Sequence, residues 1–266
     1  MFTAPAKKGI LEEITDIYRD FDGKRYQLGL EKGRSGYRHI QGRIEISKTE
    51  YTVYNPVTEE SIKTDYFFET CKKKGIHCEK SENWCDYEGK DGYYITSDDN
   101  EEIRLQRFGK LTLEQEWMLC KLQETTDREI MVWHDPKGNN GKSWLAGALW
   151  ERHKAHQVRM VSSAEAIVKD VCSKMDKEKR PIVIIDIPRS GKWTQQVYEA
   201  IEVIKDGLID DPRYSAKTMN IKGTKVMVMC NTKPKLDKLS KDRWKIYRNG
   251  DPTYIDMCMP FLDECS

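Results

Sequence analysis

Residues 134 to 143 read HDPKGNNGKS, and this stretch decides the fold that we expect for the second half of the chain. The apolar run EIMVWH leads into it and WLAGALWERHK follows it, which predicts a strand, a glycine-rich loop and a helix in that order. The backbone N–H groups of such a loop converge on phosphate at the N-terminus of the helix. The stretch therefore predicts a phosphate-binding loop for a nucleoside triphosphate.

Each residue of the loop has an expected part in nucleotide binding. Lys142 is expected to reach the β- and γ-phosphates, and the Ser143 hydroxyl to ligate Mg²⁺. Pro136 stands where the usual motif begins with glycine. A surface loop is the alternative for GNNGKS alone, but its place between a strand and a helix favours nucleotide binding. The predicted nucleotide contacts are Pro136, Lys137, Gly138, Asn139, Asn140, Gly141, Lys142 and Ser143.

Two more apolar strands are predicted further along the chain. PIVIIDIP at 181 to 188 contains Asp186, and TKVMVMCNT at 224 to 232 contains Asn231. Near-continuous apolar strands separated by helices indicate a parallel sheet covered on both faces, and ligands bind at the carboxyl ends of its strands. Asp186 is therefore expected to hold Mg²⁺ through water, and Asn231 to contact the γ-phosphate or the attacking water. Either residue alone would be read as a turn former.

The first hundred residues have a different pattern. Short alternating runs at 26 to 31, 42 to 47 and 93 to 96 predict strands, and apolar residues at helical spacing predict helices at 11 to 21 and 65 to 75. We therefore expect a small α+β domain and then an α/β domain. The predicted parts are a first domain at 1–97, a linker and helical oligomerisation segment at 98–125, and a P-loop domain at 126–266.

Composition narrows the class of protein. The chain has 266 residues, 33% of them charged, and a net charge of +1. No apolar run approaches the roughly 20 residues that span a bilayer, and the first residues lack the apolar core of a secretory signal. Eight cysteines occur without a C-x-x-C pair, which disfavours structural zinc. We expect a soluble intracellular protein with reduced cysteines and no membrane partner.

Five segments in order carry a resemblance to a known family. They are WHDPKGNNGKSW, VIIDIPR, YEAIEVIKDGLIDDPRYSAK, VMVMCNTKP and LSKDRWKIY. They resemble the superfamily 3 helicase domain of replication initiator (Rep) proteins of circular single-stranded DNA viruses, and the DIPR form is similar to smacovirus or nanovirus-type Reps. The resemblance implies an AAA+-like helicase domain that uses ATP with Mg²⁺ or Mn²⁺ and assembles as a homo-oligomer, most often a hexamer. It also implies an N-terminal HUH-type nuclease built on an antiparallel sheet with helices, here residues 1–97.

The first domain offers residues for a nuclease metal site. His39 and Gln41 lie two apart on a predicted strand, so their side chains share one face, and Glu31 ends the preceding strand. This mixed set of nitrogen and oxygen ligands suits Mg²⁺ or Mn²⁺. A hydrogen-bonded surface pair is the alternative, and the resemblance to the family's H-x-Q motif favours the metal site. Gln41 replaces the second histidine of the HUH name.

The segment WCDYEGKDGYY at 84 to 94 resembles the family's nucleophile motif, Y-x-x-K. The resemblance assigns Tyr87 as the tyrosine that attacks a DNA phosphodiester and becomes linked to the 5′ end, with Lys90 as the accompanying cation. Another alignment places Trp84 at the tyrosine position, and Tyr93 and Tyr94 lie close by, so these alternatives stay open. The nuclease assignments depend on the resemblance more than the nucleotide loop does.

Basic residues in the second domain are candidates for DNA contacts. Arg213, Lys217 and Lys222 lie between the second and third apolar strands, where the family carries a loop that grips single-stranded DNA in the central pore. A solvated charged loop is the alternative. Arg243 either serves as an arginine finger across a subunit interface or pairs with Asp242 or another acid.

The leading hypothesis that follows is a viral replication initiator. It nicks and joins a single-stranded origin stem-loop through a covalent 5′-phosphotyrosine and unwinds DNA by ATP hydrolysis in rolling-circle replication. The resemblance implies host replication machinery as a partner, and the host nucleus or host cytoplasm as the location. The alternative is a DNA-binding ATPase, a degenerate Rep relative without nuclease activity. A small-molecule kinase is disfavoured because no acceptor site or lid is evident in the sequence.

Overall fold

The structure is a computed structural model that divides into two compact units, Met1–Phe108 and the part from Gly109 onward. We describe each unit by itself. The described residues are 1–54, 57–58, 61–84, 87–158, 163–211 and 217–250.

The first unit is built on an antiparallel sheet. Its described strands are β1 (Phe2–Pro5), β2 (Gly23–Lys32), β3 (Arg38–Ile46), β4 (Glu50–Tyr54), β5 (Ser61–Tyr66), β6 (His77–Cys78) and β7 (Tyr94–Thr96). The helices are α1 (Ile10–Asp20), α2 (Phe67–Lys73) and α3 (Glu101–Phe108), and a short 3₁₀ turn spans Tyr87–Gly89. The five-stranded sheet has the order β6-β1-β3-β2-β7, and β4 and β5 form a separate hairpin. The expected antiparallel sheet with helices is confirmed.

One face of this sheet carries the hydrophobic core of the unit. Ile10, Ile14 and Ile17 are spaced along one side of α1 and are buried against Leu28 and Ile40 of the sheet. Because side chains alternate along a strand, the neighbours of these sheet residues point to the other face. That second face carries the polar side chains of the unit's candidate site.

The helix α3 belongs to the first unit. The Arg107 guanidinium donates to both oxygens of Asp99, at 2.7 and 2.9 Å, and to the backbone oxygen of Tyr94 in β7. Both side chains of this ion pair are only 2% exposed. This buried ion pair attaches α3 to the sheet. The first unit therefore includes α3, which follows residue 97, the end predicted for the first domain.

The second unit is built on a parallel sheet. Its described strands are β8 (Ile130–His134), β9 (Ala155–Val158), β10 (Ile182–Asp186), β11 (Leu208–Asp211), β12 (Lys217–Asn220), β13 (Lys225–Cys230) and β14 (Trp244–Arg248). The helices are α4 (Leu113–Glu124), α5 (Lys142–Glu151), α6 (Ala164–Lys177) and α7 (Gln195–Asp206). The sheet has the order β14-β8-β13-β10-β9 with all neighbours parallel, and β11 and β12 form an antiparallel hairpin.

Both faces of the parallel sheet are buried. Ile130 and Val132 of β8 join a core with α6 and α7, whereas Met131 and Trp133 of the same strand join a core with α4 and α5. The strand therefore reads as an uninterrupted apolar run, as a strand covered on both sides must. The predicted parallel sheet between helices is confirmed.

One element of the first unit differs from its prediction. The helix expected at 65 to 75 is instead the end of β5, up to Tyr66, followed by α2 from Phe67. Asp65 and Tyr66 pair with Tyr51 and Glu50 of β4. Because the hairpin keeps them in a strand, the helix begins only after Tyr66.

Within the described residues, no helix is both long enough and apolar enough to span a membrane.

Candidate nucleotide site and metal site

The glycine-rich loop connects β8 to α5 as predicted. Gly138 and Gly141 have φ angles of 77° and 75°, a left-handed conformation that glycine adopts without a steric penalty. Asn139 between them has a φ of 64°. Gly141 is the N-cap of α5 and no side chain caps this end. The first N–H groups of the helix are therefore directed at the loop, where an anion would satisfy them.

Asp135 accepts the hydrogen bonds that stabilise the loop from within, although no role was predicted for it from the sequence. Its carboxylate is buried and accepts hydrogen bonds from Lys142 Nζ at 2.6 Å, the Gly138 N–H at 2.8 Å and Asn140 Nδ2 at 2.8 Å. Burial alone would raise the pKa of Asp135, but these hydrogen bonds outweigh it and leave the pKa below its usual range. Asp135 is therefore an ionised carboxylate next to the lysine.

Asp186 and Asn231 reach the loop from neighbouring strands. β13 lies between β8 and β10, so Asn231 at its carboxyl end is placed between the loop and Asp186. Asn231 Nδ2 donates to the Asp135 backbone oxygen at 2.6 Å. With residues 137 to 144, Asp186 and Asn231 line an open pocket of about 670 Å³, a size in the range of ligand sites. Pro136, the first residue that was assigned to the loop, is exposed to solvent and does not line the pocket.

The charge of Lys142 compensates only in part for the burial of the Asp186 carboxylate in this pocket. Burial raises the pKa of Asp186, and the positive charge of Lys142 offsets only part of that rise. A carboxyl group in this situation gains stability from a cation beside it. Asp186 and the nearby Ser143 hydroxyl are both oxygen donors, which is what Mg²⁺ prefers. The residues of the pocket thus fit Mg²⁺ with a nucleotide.

Two further side chains border the loop. The Arg189 guanidinium donates to the Lys137 backbone oxygen at 2.6 Å, and a Cβ at Gly138 would collide with it. Gln115 of α4 donates from Nε2 to the Gly141 oxygen at 3.1 Å, and a Cβ at Gly141 would lie 2.7 Å from that nitrogen. Both glycines are therefore favoured by their φ angles, and a side chain at either position would also displace the end of Arg189 or Gln115.

The predicted metal residues of the first unit share the polar face of its sheet. Glu31 and His39 are directly opposite in the β2–β3 ladder, and Gln41 lies two residues along β3. His39 Nε2 is 3.8 Å from Glu31 Oε2, and Lys90 Nζ is 2.9 Å from the same oxygen. The structure thus brings Lys90 together with Glu31 and His39. The Gln41 amide oxygen accepts a hydrogen bond from Thr3 at 2.9 Å.

This arrangement fits a divalent cation in one respect. Glu31 is 9% exposed, and its Oε1 atom is buried without a hydrogen-bond partner. An unpartnered carboxylate oxygen beside an imidazole is a donor set for Mg²⁺ or Mn²⁺. Among the described residues there is no group of three or more His, Cys, Asp or Glu that could hold a metal, so Gln41 would have to complete the site.

The 3₁₀ turn Tyr87–Gly89 lies across this polar face. Glu88 is 1% exposed and pairs with Arg43 Nε of β3 at 2.7 Å. The Glu88 backbone oxygen lies against Gly29 of β2, where a Cβ would overlap it. Tyr87 opens the turn, and its side chain is outside the described residues. The turn that begins at the predicted nucleophile therefore lies over the sheet at Gly29 and Arg43, and Lys90, which follows the turn, reaches Glu31.

The alternative nucleophiles have other surroundings. Arg25 stacks over the Trp84 ring at 4.0 Å, and Arg107 stacks over the Tyr94 ring at 3.7 Å. Tyr93 is 66% exposed. The packing of an arginine on each ring is thus sufficient to explain Trp84 and Tyr94, whereas the Tyr93 side chain is exposed to solvent.

The predicted DNA-contact residues fall at the β11–β12 hairpin. Arg213 lies outside the described residues, and so does the side chain of Lys217, the first residue of β12. Lys222 is exposed in the turn after β12, and its N–H donates to Asn220 Oδ1 at 2.9 Å. In the chain the hairpin lies between α7 and β13, the position at which the resemblance implies a DNA-gripping loop, and its residues Ile209 and Met219 are buried in the core.

Arg243 is buried within its own chain. Its Nη2 atom donates to Asp206 Oδ1 of α7 at 2.9 Å and lies 3.6 Å from a Glu202 oxygen. Asp242 pairs instead with Arg128 at 2.8 Å. Of the two possibilities left open for Arg243, the structure places it in a pair with another acid.

Three residues that were not predicted from the sequence, Arg189, Gln115 and Glu88, have partners that are distant in the sequence, whereas the partners of the Asp135 carboxylate lie within seven residues of it. Asp135, Arg189, Gln115 and Glu88 are ordinary polar residues until the fold places them against the loop or the 3₁₀ turn. Only Asp135 and Arg189 carried a signal, since one lies inside the loop segment and the other ends the DIPR segment.

Comparison with known proteins gives three relatives from plant viruses and their satellites. The chain is 30% identical over 126 residues to "Para-Rep C7" of Faba bean necrotic yellows C7 alphasatellite, which is 47% of this chain and 43% of the relative. It is 29% identical over 138 residues to "Para-Rep C6" of Subterranean clover stunt C6 alphasatellite, 50% of this chain and 46% of the relative. It is 29% identical over 146 residues to the "Master replication protein" of Subterranean clover stunt virus (strain F), 54% and 46%.

These alignments cover less than half the length of each relative. No model of a known protein family matches the chain. The resemblance predicted from the five segments is nevertheless confirmed by the names of the relatives. The chain is similar to replication (Rep) proteins of circular single-stranded DNA viruses.

Proposed function

We propose that this chain initiates rolling-circle replication by nicking and joining single-stranded origin DNA, and that it unwinds DNA with the energy of ATP hydrolysis. The observation that carries the proposal is the second unit's pocket, which Lys142, Asp186 and Asn231 line together although they are far apart in sequence. The relatives' names, Para-Rep and Master replication protein, support the same role in replication.

The ATPase half of the proposal uses the loop and its neighbours. The helix N-terminus of α5 and Lys142 bind the phosphates, Ser143 and Asp186 hold Mg²⁺, and Asn231 orients the γ-phosphate or water. Arg189 adds a second cation at the mouth of the pocket. The order β14-β8-β13-β10-β9 supports an AAA+-like superfamily 3 helicase fold, because the inserted β13 puts Asn231 between the loop and Asp186. Homo-oligomerisation as a hexamer is part of this proposal.

The nuclease half places an HUH-type site on the polar face of the first sheet. Glu31, His39 and Gln41 would hold Mg²⁺ or Mn²⁺, which polarises the scissile phosphate. The Tyr87 oxygen loses its proton and attacks the phosphorus, and the bond from phosphorus to the preceding 3′ oxygen breaks. That oxygen takes up a proton and leaves as a 3′-hydroxyl, while the 5′ phosphate stays on Tyr87. Lys90, 2.9 Å from Glu31, supplies a positive charge beside the phosphate.

The ATPase half is tested with Lys142→Ala, compared with Lys154→Ala, which changes an exposed lysine after α5. Lys142→Ala should lose ATP turnover and unwinding but still nick, and Lys154→Ala should retain all three activities. Normal ATP hydrolysis by Lys142→Ala would show that the pocket is not the nucleotide site.

The nuclease half is tested by the mass of the protein after incubation with an origin hairpin oligonucleotide and Mn²⁺. The wild-type chain should gain the mass of the cleaved strand, Tyr87→Phe should not, and Tyr66→Phe, at an exposed tyrosine, should behave as wild type. An adduct that maps to Tyr93 would replace Tyr87 as the nucleophile. No manganese-dependent cleavage by the wild type would favour a DNA-binding ATPase without nuclease activity.

A further inference from the structure

The phosphate loop contains its own anion. The Asp135 carboxylate is 1% exposed and accepts hydrogen bonds from Lys142, the Gly138 N–H and Asn140. Its backbone is also fixed, because the Asp135 N–H donates to the Cys230 oxygen at 2.9 Å and its own oxygen accepts from Asn231. An ionised carboxylate thus holds the lysine that a nucleotide's phosphates would contact.

This contact has a cost for phosphate binding. Lys142 Nζ lies 2.6 Å from Asp135 Oδ2, a short charge-assisted hydrogen bond in a nearly buried pair whose side chains are 10% and 1% exposed. Lys142 cannot give its full charge to a phosphate while it neutralises Asp135.

We propose that Asp135 is an internal competitor of the nucleotide: its carboxylate holds Lys142, and the β- or γ-phosphate of a nucleoside di- or triphosphate must take Lys142 from it. This inference rests on the proposed ATPase function and adds a residue that sets nucleotide affinity. Asp135 is a positioning residue, since it acts on the phosphates through Lys142. It keeps Gly138 and Asn140 in place during the exchange, so the loop retains its shape.

The proposal predicts that removing the negative charge tightens binding. Asp135→Asn keeps the size of the side chain and an oxygen for the Gly138 N–H, but it frees Lys142. Because the lysine no longer has to leave a charge-assisted hydrogen bond, nucleotide should bind roughly tenfold more tightly or better. A residue that only braces the loop would give the opposite sign, because its loss loosens the site.

The experiment measures dissociation constants of Mg·ATP and ADP by calorimetry for the full chain. The variants are Asp135→Asn, Lys142→Met and the double variant, and Asp237→Asn is the control that removes an exposed acid with the same change in net charge. Asp135→Asn should bind more tightly than wild type and Asp237→Asn should not. In the Lys142→Met background the effect of Asp135→Asn should fall to less than about twofold, since the competition needs the lysine.

Three outcomes count against the proposal and can be told apart. Unchanged or weaker binding by Asp135→Asn, in a wild type that does bind nucleotide, overturns the proposal and leaves the ATPase function standing. Equal tightening in the Lys142→Met background shows general electrostatics and also overturns it. No nucleotide binding by wild type or by Asp135→Asn, with thermal unfolding unchanged, refutes the nucleotide site itself.

Discussion

Gly29→Ala should slow nicking strongly, although Gly29 takes no part in the proposed chemistry. Gly29 is opposite Gln41 in the ladder between β2 and β3, and its Cα faces the 3₁₀ turn that begins at Tyr87. A Cβ at this position would overlap the Glu88 backbone oxygen and lie 2.9 Å from its carbonyl carbon. Real Cβ atoms essentially never approach so closely, and the atoms in the way belong to backbone, so the turn must move.

The size of the effect follows from the distance that the turn must move. The Glu88 peptide has to shift by at least roughly 1.4 Å before the contact becomes an ordinary one. A misplacement of about 1 Å in a catalytic group costs about 10²-fold in rate, or about 2.7 kcal/mol of transition-state stabilisation. Overpacking of the sheet should also lower the free energy of unfolding by about 1–3 kcal/mol.

The assay is the rate of covalent adduct formation with an origin oligonucleotide and Mn²⁺, together with ATP turnover. Gly33→Ala is the matched control, since it makes the same change near the end of β2 and its Cβ would meet nothing closer than 3.6 Å. Gly29→Ala should nick about 10²-fold more slowly than Gly33→Ala, and both should hydrolyse ATP at the wild-type rate. If the two variants nick equally well, the turn at Tyr87 does not present the nucleophile and the reasoning is refuted.

Three other predictions concern the two units separately. Burial alone would raise the pKa of Asp99, but the contact with Arg107 and the hydrogen bonds from Thr96 together outweigh burial and leave the pKa lowered. The contribution of these contacts to stability is therefore present above about pH 3.9 and is lost as the pH falls through the lowered pKa. Denaturation at several pH values should show this loss for wild type and not for Asp99→Asn. Asp206→Ala leaves the buried Arg243 guanidinium short of a partner and should lower the free energy of unfolding by about 1–3 kcal/mol in urea titrations. Gly138→Ala places a Cβ at a φ of 77° and against a guanidinium, and should reduce ATP turnover without unfolding the protein, which thermal denaturation would verify.

The sequence predicted the central strands of the parallel sheet and missed its edges. β8, β10 and β13 are buried on both faces, so their apolar runs are unbroken and easy to recognise. β9 and β14 are the edge strands, with the sequences AHQV and WKIYR. β14 is partly exposed, and both strands carry polar residues, which interrupt the apolar run by which a buried strand is recognised. In the first unit, the four residues of β1 are too few to show an alternation.

The sequence also predicted that three residues of the candidate nucleotide pocket lie close together. Lys142, Asp186 and Asn231 were expected to meet because the carboxyl ends of parallel strands lie at one edge of the sheet, and all three line one pocket. That rule needs only the order of strands and loops. No comparable rule exists for an antiparallel sheet. His39 and Gln41 were predicted to share a face from their two-residue spacing, whereas the part of Lys90 was predicted from the resemblance alone.

What the sequence could not supply is the reason for individual residues inside the motif. Gly138 looks like a residue chosen for its φ angle, yet the Arg189 guanidinium also occupies the space that a Cβ would need. Asp135 looks like the residue that ends a strand, yet its carboxylate holds the lysine of the loop. In each case the partner is close in space only after the loop has closed. A motif therefore identifies a phosphate site, whereas its affinity depends on charges such as Asp135 that the motif does not specify.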